Sequence, residues 1–363
     1  MIKKHADNIC FAIIIAILAF VPLLLQMGYI SGGSTVIFIG KCIAYAIVAI
    51  GLDLIWGYTG ILSLGHGLYF ALGAYGMGMF LKLQSTGGKI TDFMHVGGLS
   101  ELPFIWTLFE SLPSAIFFTI VIPATFAFII GFFIFKNRVK GVYFSIISQA
   151  LTWAMYSIFI ALSPYTNGNV GITEIQSLVG SVKGDANRTN LFIVFYCSIV
   201  ILTLVYIVAK FLVNSKFGKV LIAIRDGENR TYFSGYQVSM YKTFIYTISA
   251  IIAAIAGAVF INFNAGVTPS EMTISASITM VIWVAVGGRG TIIGAVIGAF
   301  VINIAQYNLS SGNLVEVWQY IIGLVFCLTI LFFKGGIVGI ATQQIPELVN
   351  KLKRRRVHDS VRN

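Results

Sequence analysis

Ten apolar stretches, most of them close to twenty residues long, divide this chain of 363 residues. They fall near 9–27, 35–56, 61–82, 113–135, 142–162, 191–213, 242–263, 273–287, 291–308 and 315–333. A helix needs about twenty apolar residues to cross a hydrocarbon core of about 30 Å. With 58% hydrophobic and 10% charged residues and a mean hydropathy of +0.90, an aqueous globular domain is excluded. Barrel-type alternation is not seen, so backbone polar groups must be satisfied inside helices. The expectation is an all-α polytopic membrane protein with about ten transmembrane helices. The eighth stretch, ISASITMVIWVAVGG, is short for a crossing and reads as tilted, broken or re-entrant with the ninth.

Basic residues set the orientation. With the N-terminus inside, the inner segments collect Lys3, Lys4, Lys136, Arg138, Lys140, Lys216, Lys219, Arg225, Arg230, Lys242, Arg289 and the KLKRRR tail. The outer loops keep Lys82, Lys89, Lys183 and Arg188. Both termini are therefore expected in the cytoplasm, and the net charge of +11 is topological rather than a nucleic-acid footprint. The chain reads as one transmembrane domain, 1–340, followed by a basic cytoplasmic tail, 341–363. Its first apolar run is too long for a signal peptide and reads as an uncleaved span. Cys10, Cys42, Cys197 and Cys327 fall in four different spans without metal or redox spacing.

Residues 57–80, GYTGILSLGHGLYFALGAYGMGMF, carry seven glycines in a run otherwise fit for lipid. Small residues let membrane helices approach closely, so Gly67 and Gly78 here, and Gly290, Gly294 and Gly298 in GTIIGAVIGAF, are expected at tight helix contacts. Few ionisable residues fall inside the spans: Lys41, placed to snorkel to the interface, Asp53 and His66. Asp53 and His66 flank the GYTG turn and are expected to face each other across it. Two readings stand for that pair and for Tyr58, Thr59 and Ser63 beside it. It is a clamp fixing the hairpin, or a polar lining for a hydrophilic solute.

The largest inner segment, 214–241, opens with Phe217, Val220, Leu221 and Ile224 at amphipathic-helix spacing. Gly227 is expected to end or kink that helix. A basic amphipathic helix suits the anionic inner leaflet, and equally suits a groove on a cytoplasmic partner. No phosphate-cradling G-x-x-x-x-G-K-[ST] loop is present, and no carboxylate relay of a pump. Either transport is passive, as in a urea or solute channel, or a partner supplies the energy.

Three segments resemble one family. LDLIWGYTGILSLGHGLYFALGAYGMGMF, GKVLIAIRDGENRTYFSGY and VIWVAVGGRGTIIGAVIGAF are similar to permease subunits of branched-chain amino acid and urea ABC importers. Asp53, Arg289 of GGRG, the run IRDGENR and the outer loop TDFMHVGGLSELPFIW resemble the urea branch, with branched-chain amino acids or short amides as the alternative cargo. The resemblance implies a multi-pass protein of the bacterial plasma membrane that binds no cofactor itself. It implies a second homologous permease, two cytoplasmic ATPase subunits that hydrolyse ATP, and an extracytoplasmic solute-binding protein. On that basis 214–241 becomes the ATPase-coupling segment. Phe217, Val220, Leu221 and Ile224 would fill the partner's groove, Arg225, Asp226 and Glu228 would set register by charge, and Gly227 and Gly235 would shape the turns.

Overall fold

The computed structural model describes residues 2–27, 33–139, 141–180, 188–310, 317–332 and 335–339; the basic tail lies outside them. The helices in chain order are α1 (Ile2–Gln26), α2 (Gly33–Thr59), α3 (His66–Thr86), α4 (Asp92–Val96), α5 (Phe104–Thr107), α6 (Leu112–Lys136), α7 (Gly141–Ala161) and α8 (Ser163–Thr166). They continue with α9 (Arg188–Asn214), α10 (Lys216–Phe233), α11 (Val238–Asn264), α12 (Ile274–Gly287), α13 (Ile292–Ser310), α14 (Trp318–Phe332) and α15 (Gly336–Gly339). The described residues form an all-α bundle with two isolated β-bridges and no sheet. Seven of the helices, α1, α2, α6, α7, α9, α11 and α13, are long and apolar enough to cross a membrane. Helices also occupy the three other expected stretches, although α12 has only 14 residues and does not reach a full crossing.

Two helices form the centre. In α2 and α11, two-thirds of the most apolar window is buried, against 22% in α6 and α7. A helix apolar on every face belongs inside the bundle, and α2 and α11 match that description. Helix α11 packs on α2, α3 and α6, while α9 and α13 close on α2. Away from the helix ends, the exposed residues of α1 and α9, such as Ile13, Ile17, Phe20, Leu204 and Phe211, are apolar, as a lipid face requires.

Two breaks in the helical bundle matter for function. Residues 60–65 are non-helical, so His66 opens α3 instead of lying one and a half turns inside it as the sequence suggests. Gly60 at φ +80 turns the chain out of α2. The non-helical backbone is satisfied by α7: Ser145 Oγ donates to the Leu62 carbonyl at 2.6 Å, and Leu64 N–H donates to Ser148 Oγ at 3.1 Å. The second break runs from residue 265 to 273 and includes a short 3-10 turn, Pro269–Met272. Irregular backbone at membrane depth is tolerated only against protein or water, and both breaks lie against neighbouring helices.

Candidate functional site

The end of α2 is where three parts of the chain meet. The last carbonyls of a helix have no intrahelical partner and carry the negative end of its dipole. Two guanidinium groups reach this end, where the Trp56 carbonyl also accepts the Gly60 N–H at 3.1 Å. Arg225 Nη1, from α10, donates to the Gly57 carbonyl at 2.9 Å. Arg289 Nε, from the α12–α13 turn, donates to the Trp56 carbonyl at 3.2 Å, with its guanidinium 5.1 Å from the Trp56 ring centre. Burial and the neighbouring Arg225 charge pull Arg289 below the ordinary arginine value, and Asp53 opposes that shift.

Asp53 completes the joint. Its Oδ1 accepts the Gly290 N–H at 2.7 Å, tying α2 to the same turn, while Oδ2 is buried without a hydrogen bond among the described residues. Gly57 makes this approach possible. A Cβ there would stand 2.3 Å from Asp53 Oδ1 and 2.6 Å from Gly290 N, distances no side chain tolerates. Gly290 itself is a turn residue at φ +79 whose Cβ position is at an ordinary 3.6 Å from the Gly57 carbonyl oxygen, so the crowding falls on Gly57 and not on it. Tyr58 is buried beside the joint, and Thr59 Oγ1 donates to the Ile55 carbonyl at 2.6 Å.

His66 holds a different set of partners, and the expected Asp53–His66 pair does not form. Its Nε2 lies 2.6 Å from Ser249 Oγ on α11, and its Nδ1 lies 2.9 Å from Ser63 Oγ. The Ser249 hydroxyl proton is already given to the Gly51 carbonyl of α2. Ser249 Oγ must then accept from Nε2–H, which leaves Nδ1 to accept from Ser63. The network assigns a neutral imidazole that pins the start of α3 to α11 and α2. Asp53 is spent on Gly290 and His66 on two serines because the 60–65 segment carries the ring away from the α2 end. Lys41 Nζ donates to Asn264 Oδ1, at the end of α11, at 2.6 Å.

Glycine serves close packing at three of the expected positions, Gly67, Gly294 and Gly298, and at two others. Gly67 is tight, its Cβ position 2.7 Å from Ser277 Oγ. Gly78 is not: its nearest neighbour, Val267, is at an ordinary 3.4 Å. The α3–α11 contact depends instead on Gly73 and Gly257, whose Cβ positions lie 2.0 Å from the Ala254 carbonyl oxygen and 1.9 Å from that of Phe70. In the α12–α13 hairpin a Cβ at Gly298 would stand 2.0 Å from the Trp283 carbonyl oxygen, and one at Gly294 would stand 2.8 Å from that of Gly287.

Helix α10 is capped by Ser215, whose side chain accepts from Gly218 N–H, and it kinks at Gly227, which has φ −172 and ψ 81. Its apolar face turns inward. Leu221 and Ile224 are buried, Val220 is partly buried, and Phe217 stacks on Tyr241 of α11 with ring centres 5.3 Å apart. Phe217, Leu221 and Ile224 are spent on the chain's own core, which corrects their expected role in a partner's groove. The charges are also partly internal: Glu228 pairs with the buried Lys242, and Arg225 Nε pairs with Asp226 at 3.0 Å. The outward surface of α10 includes Lys219, Ala223, Asp226, Asn229, Arg230 and Phe233, the last 86% exposed. Gly235 follows at φ +89 with free space around it.

Glu271, in the 3-10 turn, escaped the sequence reading because it lies just ahead of the eighth apolar stretch. The signal was available in TPSEMTIS, a polar run joining two spans without enough length to leave the membrane and return. No group of three His, Cys, Asp or Glu suited to a metal occurs among the described residues.

Residues 34–330 match the family described as branched-chain amino acid transport system / permease component. The chain is 23% identical over 322 residues to the high-affinity branched-chain amino acid transport system permease protein LivM of Salmonella typhimurium, covering 83% of this chain and 69% of that protein. It is 25% identical over 310 residues to a probable branched-chain amino acid transport permease protein LivM of Methanocaldococcus jannaschii, covering 80% and 88%. The ribose import permease protein RbsC of Haemophilus influenzae is 21% identical over 196 residues, 52% of this chain and 57% of that one. No solved structure matches the chain. A bundle of long apolar helices, whose α2 end is tied by Arg225 and Asp53 to α10 and to the α12–α13 turn, is thus a multi-pass membrane protein, and the chain belongs to the branched-chain amino acid transport permease family.

Proposed function

We propose that this chain is the membrane-spanning subunit of an ATP-driven importer whose cargo is a branched-chain amino acid. A second permease, two ATPases and an extracytoplasmic binding protein complete the assembly. The observation that carries the mechanism is the Arg225–Gly57 hydrogen bond. It makes α10 a lever on α2, a central helix of the bundle. ATPase closure displaces α10, and the displacement reaches α2 and the α12–α13 turn through Arg225, Arg289 and Asp53. The solute path between the two permeases then opens alternately to each side. The outward face of α10, with Asp226, Arg230 and Phe233, is the surface offered to the ATPase.

Two observations favour amino acid over urea as cargo. The relatives named for a cargo over most of this chain's length are branched-chain amino acid permeases. The residues that resembled the urea branch, Asp53 and Arg289, are both engaged in the joint and are not free to select solute. The test is uptake by the complete importer in proteoliposomes, with labelled leucine, isoleucine and valine compared against labelled urea. ATP-dependent amino acid uptake supports the reading. ATP-dependent urea uptake in its place overturns the cargo, and uptake by this chain alone without ATPases overturns the importer in favour of a channel.

A further inference from the structure

Residues 268–279 read TPSEMTISASIT, a run rich in hydroxyls that connects α11 to α12. This connection does not stay at the end of the bundle. Val267 pairs with Ile172 and lies 3.4 Å from the Cβ position of Gly78 on α3. Four residues later the Glu271 carbonyl oxygen stands 2.8 Å from the Cβ position of Gly67, and Gly67 N–H donates to Ser277 Oγ at 3.1 Å. Residues 67 to 78 of α3 span about 16 Å at 1.5 Å per residue, so the chain descends that far alongside α3. His66, adjacent to Gly67, is bonded to Ser249 near the middle of the 27-residue α11. The start of α12 therefore stands at mid-depth in the bundle, beside the start of α3.

At that depth the run is open. Ser270 and Ser275 are exposed, and Thr268, Glu271, Thr273 and Thr279 are partly exposed. Hydroxyls and a carboxylate facing hydrocarbon would be costly, and the lipid faces of α1 and α9 expose no such strip. The Glu271 carboxylate makes no hydrogen bond or ion pair among the described residues. Its charge reaches the hydroxyls of Tyr45 and Tyr75, and the opposing charge that reaches it comes from Lys41. The Tyr75 hydroxyl is itself buried without a hydrogen-bond partner among the described residues. A partly exposed carboxylate in this position is open to the cationic group of a solute, which urea does not carry.

We infer that the strip from Thr268 to Thr279 lines a water-filled solute path, and that Glu271 binds the ammonium group of a zwitterionic cargo in it. The hydroxyls of Ser270, Thr273 and Ser275 supply the exchangeable hydrogen bonds of the path, and Glu271 the carboxylate. This assignment rests on the amino acid reading of the cargo, and the path itself stands independently of it.

Two measurements on the complete importer test the inference. In a cysteine-free background, Ser275→Cys is treated with a charged, membrane-impermeant thiol reagent in nucleotide-free and ATP-trapped proteoliposomes, with Leu204→Cys on the lipid face as reference. Modification of Ser275→Cys in either state, and none of Leu204→Cys, is expected. No modification of Ser275→Cys overturns the path. In the second measurement, Glu271→Gln is expected to lower leucine uptake at least about tenfold, the scale of one charge-assisted hydrogen bond. The loss should fall with assembly unchanged in size-exclusion chromatography and be partly restored by Glu271→Asp. Leucine uptake at the wild-type rate by Glu271→Gln overturns the ammonium site. If the unmodified importer carries urea and no amino acid, the cargo reading fails by that result alone, while Ser275→Cys labelling still decides the path.

Discussion

The Arg225 guanidinium reaches from α10 to the Gly57 carbonyl at 2.9 Å, a contact between residues 168 positions apart in the chain. Asp53, one turn earlier in α2, takes the Gly290 N–H at 2.7 Å. Between them they join α10, a central span and the glycine-rich hairpin at one point.

Removing the Arg225 contact should uncouple the machine. Arg225→Gln is expected to reduce ATP-dependent uptake more than about tenfold, because an amide cannot span the distance or hold the charge at the helix end. Binding of solute by the extracytoplasmic protein should be unchanged. Uptake at the wild-type level, measured in proteoliposomes, would show that α10 moves α2 by another route.

Asp53 and Gly290 make a paired prediction. Asp53→Asn keeps a carbonyl oxygen for the Gly290 N–H and should preserve most of the fold. Asp53→Ala leaves that N–H without its acceptor, costing about 1–3 kcal/mol. Thermal unfolding of the purified protein in detergent should rank wild type, Asp53→Asn, then Asp53→Ala. Equal unfolding temperatures for the two variants would remove the clamp from the account.

Gly257→Ala should be among the most damaging single-methyl changes in the chain. The new Cβ would stand 1.9 Å from the Phe70 carbonyl oxygen, and α3 and α11 would have to separate. Overpacking of this kind costs about 1–3 kcal/mol or more. Gly78→Ala is the control, since its surroundings accept a methyl group at ordinary distance. Monodisperse yield after detergent extraction should fall for Gly257→Ala and hold for Gly78→Ala.

Gly235 tests conformation rather than space. Its φ of +89 is strained for any residue with a Cβ, although nothing crowds it. Gly235→Asn should be tolerated better than Gly235→Val, because asparagine enters positive φ more readily than a β-branched residue. A difference in unfolding temperature in that direction is expected; identical values would show that the turn adapts.

The class of this protein was written in its sequence. Long apolar stretches leave a chain few choices in lipid, so the helical bundle followed from composition and length alone. The kink at Gly227 and the helix ahead of it were equally local, because hydrophobic spacing and a glycine decide them. Partners were another matter. Asp53 and His66 are 13 residues apart and invite pairing, yet each is satisfied from more than 180 residues away, by Gly290 and Ser249. Likewise the apolar stripe of α10 was legible, but whether it faced a partner or the chain's own core was decided by Tyr241 and the bundle beneath it. Only the folded chain could show that the polar run ahead of α12 descends to the start of α3, since sequence records polarity but not depth. Periodicity fixes which residues share a face; tertiary packing alone decides what that face meets.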